Sequence, residues 1–206
     1  GAVAVEFAQF FARFDVEVTL LQRSPHILKA YDDDVASEVE TAFRAEGITV
    51  YTGCSLTDAR QDGNEKVIAF ERDGGQHEVR AEAIFHGLGR SPNTESLALE
   101  NVGIETERGR IVSDAQMRTG TPHIYAGGDC TGPHEIVHLA IQQGEVAAHN
   151  ILHPGGLHSM DYRMLISVVF TDPQAATVGH TEKTAKAQGI PYLTASYPFN
   201  DHGKSI

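Results

Sequence analysis

Only two cysteines, Cys54 and Cys130, occur in the 206 residues of the chain, far apart and with neither a CxxC nor a metal-ligand spacing. That scarcity points to reduced thiols rather than a disulfide framework, and so to a cytoplasmic setting. The eleven histidines are scattered without an HExxH or comparable pattern, so no metal site is expected. Positive charge is also short. Sixteen Lys and Arg against 28 Asp and Glu leave a net charge of −12, which argues against a nucleic-acid surface. No apolar run approaches the roughly 20 residues of a membrane helix, and no signal peptide is visible, so no membrane partner is expected. What remains, at 41% hydrophobic and 21% charged residues, is a globular composition with room for one to two domains.

The stretch Thr121-Pro122-His123-Ile124-Tyr125-Ala126-Gly127-Gly128-Asp129-Cys130-Thr131-Gly132 organises the rest. Ile124-Tyr125-Ala126 reads as a short buried strand that runs into two glycines and an aspartate. A helical pattern of small and apolar residues follows over about 135–152. Strand, Gly-Gly-Asp, loop and helix is how an α/β sheet presents a polar ligand at a strand's carboxyl end. The glycines let the main chain come close, Asp129 can accept from hydroxyls, and the helix N-terminus favours negative charge. An isolated Gly-Gly-Asp could equally be a plain turn.

The chain opens with Gly1-Ala2-Val3-Ala4-Val5-Glu6, leading at once into an alanine-rich helix that ends near Phe14. A β-branched strand over 16–21 follows. This is the pattern of a βαβ unit after its first strand. Gly1 and Ala4 have the spacing of the last two positions of a GxGxxG/A fingerprint, although a generic helix start fits as well. The second strand ends at Gln22-Arg23-Ser24, where an NAD site usually has an acidic residue for the ribose 2′-hydroxyl. A cation and a hydroxyl suit a 2′-phosphate, so NADP(H) is expected over NAD(H), the alternative being a solvated surface arginine.

A helix is expected over 34–45, with Val35, Val39, Ala42 and Phe43 as its apolar stripe and Gly47 as its stop. Asp32-Asp33-Asp34 reads as a charge cluster at that helix's N-terminus rather than a metal site. A strand over 48–52 follows, then an antiparallel meander over 56–79 with turns at Asp62-Gly63-Asn64 and Asp73-Gly74-Gly75. Residues 83–86 read as a buried strand leading into Gly87-Leu88-Gly89-Arg90-Ser91-Pro92-Asn93. Further on, strands are expected over 165–171 and 192–197, around a helix over 182–188 stopped by Gly189.

With these motifs in order, the chain resembles the flavin-dependent pyridine-nucleotide–disulfide oxidoreductases over nearly its whole length. Gly1 to Glu6 looks like the back half of that family's nucleotide fingerprint, and Gly89-Arg90-Ser91-Pro92-Asn93 is similar to its GRxPN segment. Thr121 to Gly132 resembles its second FAD motif. Phe170-Thr171-Asp172-Pro173 with Val178-Gly179-His180-Thr181-Glu182 resembles the opening of its C-terminal interface domain. The fold class implied is α/β: a Rossmann-like nucleotide-binding domain with an antiparallel meander (1–89), the return segment of an FAD-binding domain (90–160), and the start of an α+β dimerisation domain (161–206).

The resemblance implies FAD and NAD(P)H as cofactors, a homodimer, and hydride transfer through the flavin to a small-molecule disulfide or similar acceptor. Asp129, with Gly128, would bond the flavin's ribityl or phosphate region. His138, Leu139 and Ala140 would lie at the helix start facing the electron-accepting end of the ring. Glu6 matches the family's catalytic-site glutamate that pairs with a lysine, though a carboxylate in a helix's first turn is favourable anyway. Gly1 and Ala4 would face the nucleotide's pyrophosphate, with Gln22, Arg23 and Ser24 at the 2′-phosphate and Gly89-Arg90 at the return to the flavin domain. The family's CxxxxC redox pair, its first FAD fingerprint and its C-terminal His-Glu pair are not in this sequence, which therefore reads as a middle piece, inactive alone. Asn200-Asp201-His202-Gly203-Lys204 departs from the Arg-Ala pair common in the family there. A non-catalytic nucleotide-binding or assembly module of the same fold is the alternative.

Overall fold

Helix α1 (Ala2–Ala12) opens the chain and buries Val5, Ala8 and Gln9 on one face. Strand β1 (Thr19–Leu21), helix α2 (Asp33–Ala45) and strand β2 (Thr49–Tyr51) complete a β-α-β unit, with β1 parallel to β2 in the register Leu20 opposite Val50. The computed structural model describes residues 1–132 and 134–198. The inward stripe of α2 is Ala36, Val39, Glu40 and Phe43, so the buried face is turned slightly from the expected one, and Val35 is only half-buried. Glu40 is tolerated inside because it is fully engaged: it accepts from the Ile27 N–H at 3.0 Å and pairs with Arg44 at 3.2 Å.

The meander is present as β3 (Ser55–Asp62), β4 (Glu65–Arg72) and β5 (Gly75–Ala81), in the order β3-β4-β5. Only β4 contributes fully buried side chains, Val67 and Phe70, and β3 is exposed along its length. Short strands β6 (Thr106–Glu107) and β7 (Arg110–Ile111) pair before helix α3 (Val137–Leu152). The hairpin of β8 (Ile166–Val169) and β9 (Ala175–Val178) then leads to helix α4 (Glu182–Gln188). Helix α4 has the expected bounds because both ends are signalled locally: Thr181 and Thr184 form a capping box, and Gly189 takes the left-handed C-terminal conformation.

Three expected strands do not form. Residues 83–86 and 192–197 are exposed and irregular, and 124–126 reduce to one bridge between Arg118 and Tyr125 with half-buried side chains. An extended segment becomes a strand only when a neighbour takes its main-chain bonds, and among the described residues no strand lies beside 83–86 or 192–197. Instead Phe85 stacks on Phe7 with ring centroids 4.8 Å apart. Gly87 closes so tightly on α1 that a Cβ there would lie 2.7 Å from the Cβ of Ala4. The other ends shift by a few residues: the strand expected over 16–21 starts at Thr19, that over 165–171 spans Ile166–Val169, and the helix over 135–152 starts at Val137. The expectation for 200–204 lies outside the described residues.

One hydrophobic core joins parts distant in sequence. Val169 and Ala175 of the β8–β9 hairpin pack with Val5, Ala8, Ile27, Val39, Phe43, Ile48 and Val50. A polar seam runs along its rim. Gln9, 4% exposed, donates to the Asp172 carbonyl at 2.8 Å and to Glu46 Oε1 at 2.9 Å, and accepts from the Asp172 N–H at 2.7 Å. Arg13 reaches Glu46 and the Asp172 carboxylate, both at 2.7 Å. The aspartate cluster stands at the start of α2 as expected, with Asp32 at the N-cap and Asp33 and Asp34 in the first turn, and its side chains reach different partners. Asp32 occupies the N-cap position of α2 but makes no side-chain cap there. Its carboxylate accepts instead from the Glu182 and Lys183 N–H groups of α4 at 2.9 and 3.0 Å. Asp33 pairs with Lys183 at 2.6 Å.

Hydrogen bonding from Arg13 holds the Glu46 carboxyl below the usual carboxylate range. The sign follows from linkage: a depressed native pKa gives stability that is present above the unfolded value and is lost as pH falls. Glu46→Gln is therefore expected to lower the melting temperature at neutral pH and to flatten the acid limb below about pH 5, the variant and parent converging at low pH. A limb as steep as in the parent would exclude Glu46 as a contributor.

Candidate functional site

The site is built around the turn at Gly127-Gly128-Asp129. Helix α3 packs directly beneath it: a Cβ on Gly127 would lie 3.2 Å from Gln143 Cβ, a tight approach that any larger residue would have to push back by a few tenths of an ångström. Gly128 has φ +82°, the left-handed region that favours glycine. Its N–H donates to Gln143 Oε1 at 2.6 Å, and Gln143 Nε2 donates to the Tyr162 hydroxyl at 2.8 Å. Gln143 is 5% exposed, so its amide is a fixed post under the turn. Neither Gln143 nor Tyr162 was expected from sequence. The available signal was a glutamine four residues after Leu139, on the buried stripe of the helix.

The turn leaves the Asp129 carboxylate half-exposed, and Arg90 meets it: Nη1 to Oδ2 is 3.7 Å. Two residues selected from separate motifs are thus brought together. They line a cleft with Ser91, Pro92, Asn93, Cys130 and Glu135. Gly89, at φ +114°, turns the chain into it. The Cys130 thiol donates to the Gly127 carbonyl at 3.3 Å, and burial pushes both it and the Cys54 thiol up, the opposite of an activated nucleophile.

Behind the turn, α3 begins at Val137 with Ile136 as N-cap and no side-chain cap. An uncapped start of a 16-residue helix leaves main-chain donors and the positive end of the dipole for an electron-rich group. His138 is exposed there, Leu139 turns inward at 3% exposure, and the Ala140 N–H is taken by the Ile136 carbonyl at 3.0 Å. Acceptor, cation, close main chain and open donors fit a dinucleotide with hydroxyls, phosphates and an electron-accepting ring.

The remaining candidates stand at the start of α1 and just after β1. Gly1 is the N-cap of α1 and exposed, and Ala4 packs against Gly87. After β1, Gln22 Nε2 donates to Ser24 Oγ at 2.6 Å, and Ser24 Oγ donates to the His26 carbonyl at 2.7 Å. Glu40 fixes the next residue, Ile27, from below. Arg23 stands on this rigid loop, exposed and without an ion pair among the described residues. Glu6 stands on the face of α1 toward the β8–β9 hairpin, where Oε1 accepts from the Phe170 N–H at 2.8 Å.

Comparison with known proteins gives consistent results. Residues 1–144 match the family described as pyridine nucleotide-disulphide oxidoreductase, and residues 165–206 match the dimerisation domain of the same family. Dihydrolipoyl dehydrogenase of Mycobacterium tuberculosis is 34% identical over 206 residues, covering 100% of this chain and 44% of the relative. Mercuric reductase of Staphylococcus aureus is 34% identical over 203 residues, covering 97% and 37%. The chain thus spans less than half the length of these curated relatives. Among solved structures, the HOCl-induced flavoprotein disulfide reductase RclA of Escherichia coli aligns with a TM-score of 0.79 at 30% identity, covering 92% of this chain and 43% of that one. LpdA of Mycobacterium tuberculosis aligns at 0.80 and 28%, covering 91% and 40%. Among the described residues no group of side chains could hold a metal ion, and no helix is long and apolar enough to cross a membrane.

Proposed function

Because the chain belongs to the pyridine nucleotide-disulphide oxidoreductase family, we propose that it forms the nucleotide- and flavin-handling part of a homodimeric, cytoplasmic, FAD-dependent NAD(P)H oxidoreductase. Residues 1–89 bind the nicotinamide nucleotide, 90–160 return to the flavin domain, and 161–206 begin the dimerisation domain. The observation that carries this reading is the meeting of Arg90 and Asp129 at 3.7 Å beside the uncapped start of α3. Bound FAD and NAD(P)H would supply two-electron chemistry, with hydride leaving the nicotinamide and electrons ending on a disulfide or similar acceptor.

The chain's own residues bind and orient. Asp129 accepts from ligand hydroxyls, while Arg90 orients that carboxylate and offsets phosphate charge. Gln143 holds the Gly128 main chain open to close approach. The first N–H groups of α3, at Val137, His138 and Leu139, favour negative charge on the ring edge facing them. Gly1 and Ala4 keep the start of α1 bare for a pyrophosphate. Glu6 supplies the carboxylate that pairs with a lysine near the nicotinamide. The direct test is a flavin absorbance band in the full-length protein that bleaches on adding NADPH. A purified protein that never carries flavin would overturn the reading.

NADP(H) is favoured over NAD(H) because Arg23 presents an exposed guanidinium, without an ion pair among the described residues, on a loop held by Ser24 and Glu40. Arg23→Ala is expected to raise KM for NADPH roughly ten- to a hundredfold, the equivalent of one charge-assisted contact, and to leave KM for NADH nearly unchanged. Equal loss for both nucleotides would remove the 2′-phosphate role.

A further inference from the structure

Three polar residues, Glu6, Gln9 and Arg13, run down one face of α1 at helical spacing, and each is bonded to the same short turn of the β8–β9 hairpin. Glu6 Oε1 takes the Phe170 N–H, Gln9 takes both main-chain groups of Asp172, and Arg13 takes the Asp172 side chain. Three residues of helix rise by about 4.5 Å, and two residues of extended chain span roughly 6.6 Å. With both points fixed, the turn cannot slide along the helix without breaking one of them.

We propose that Gln9 is a positioning residue: by locking Asp172 to α1 it sets where the Phe170 N–H stands, and that N–H in turn fixes the rotamer of Glu6. The geometry of Gln9 suits this task. It is buried, its Oε1 and Nε2 each have partners on Asp172, and Nε2 also meets Glu46, so its orientation is over-determined. Glu6, by contrast, has one anchored oxygen. Among the described residues no hydrogen bond is made to its Oε2, which is left for a lysine or the nicotinamide edge. The nucleotide-binding helix thereby has its functional carboxylate aimed by the segment that opens the dimerisation domain. This role rests on the reading of Glu6 given above as the carboxylate near the nicotinamide.

The test compares Gln9→Met, Glu6→Gln and the double variant in the full-length flavoprotein. Gln9→Met should speed hydrogen–deuterium exchange at the Phe170 amide, which Gln9 does not itself touch. It should also lower the limiting rate of flavin reduction by roughly ten- to a hundredfold, the range for a reacting group displaced by about 1 Å, with little change in the Kd of the nucleotide. In the Glu6→Gln background the same substitution should slow reduction no further, because groups acting through one another are non-additive. An unchanged Phe170 amide, or rate losses that simply add, would overturn the positioning role. A Glu6→Gln enzyme that reduces flavin at the parental rate while Phe170 still responds would also overturn it, and would place the fault in the reading of Glu6. If Gln9→Met does not yield folded protein, Arg13→Met, at a half-exposed position, loosens the same turn. It should slow reduction about two- to threefold, the scale of one exposed ion pair, and again not in the Glu6→Gln background. A slowing that persists in that background, or no slowing at all, would overturn the proposal.

Discussion

Asp129→Ala is expected to yield folded protein with little or no bound flavin. The carboxylate stands half-exposed at the mouth of its cleft, and its ion-pair partner among the described residues is Arg90, itself 71% exposed. Removing it therefore leaves no buried charge without a partner and should cost the fold little, because exposed ion pairs contribute only about 0–1 kcal/mol. Its loss to the ligand is much larger. Hydrogen bonds to a charged acceptor are worth about 1.5–3 kcal/mol each, so losing two would weaken binding roughly a hundredfold or more. The ratio of flavin to protein absorbance, read beside a melting curve, separates the two effects. A full flavin complement with an unchanged melting temperature would refute the assignment. Asp129→Asn, which keeps an acceptor but loses the charge, should fall between.

Phe43→Ala should have the largest effect on stability, about 3–5 kcal/mol for a fully buried phenylalanine. Phe43 sits on α2 with 0% exposure, in the cluster that also takes in Val169 and Ala175 from the β8–β9 hairpin. Because the nucleotide-binding unit and the hairpin share that interior, the loss should be felt in both at once. Protection of amides in β1 and β8 should fall together, in one transition whose midpoint drops by roughly 10 °C. If the hairpin kept its protection while β1 and β2 opened, the two parts would be held by the polar seam alone.

The elements legible in the sequence were those whose signals are local. Helix α4 carries its own capping threonines and terminal glycine, and the meander carries its Asp-Gly turns, so both could be read from a few adjacent residues. Strands at 83–86 and 192–197 could not, because an extended apolar segment is a strand only if a neighbour pairs with it. The site divides in the same way. Arg90 and Asp129 were each identifiable from motif chemistry, and the fold supplied their meeting. Gln143 and Tyr162 were invisible because a buried glutamine that holds a main-chain N–H looks, in sequence, like any polar residue on a helix. Gln9 escaped for the same reason.

The division of the aspartate cluster has a consequence for the junction of α2 and α4. Asp32 stands at the N-cap position of the first helix and bonds the opening amides of the second, so two macrodipoles converge on it positive end to positive end. Facing one another without an intervening anion, those ends would repel. Asp32 bonds the amides of α4 while Asp33 and Asp34 stand in the first turn of α2, so the carboxylates together act as counter-ions where two like poles are brought together. The angle at which α4 leaves the nucleotide-binding unit is thereby tied to negative charge at the start of α2, from Asp32 and from Asp33 paired with Lys183, and not to the shape of a side chain alone.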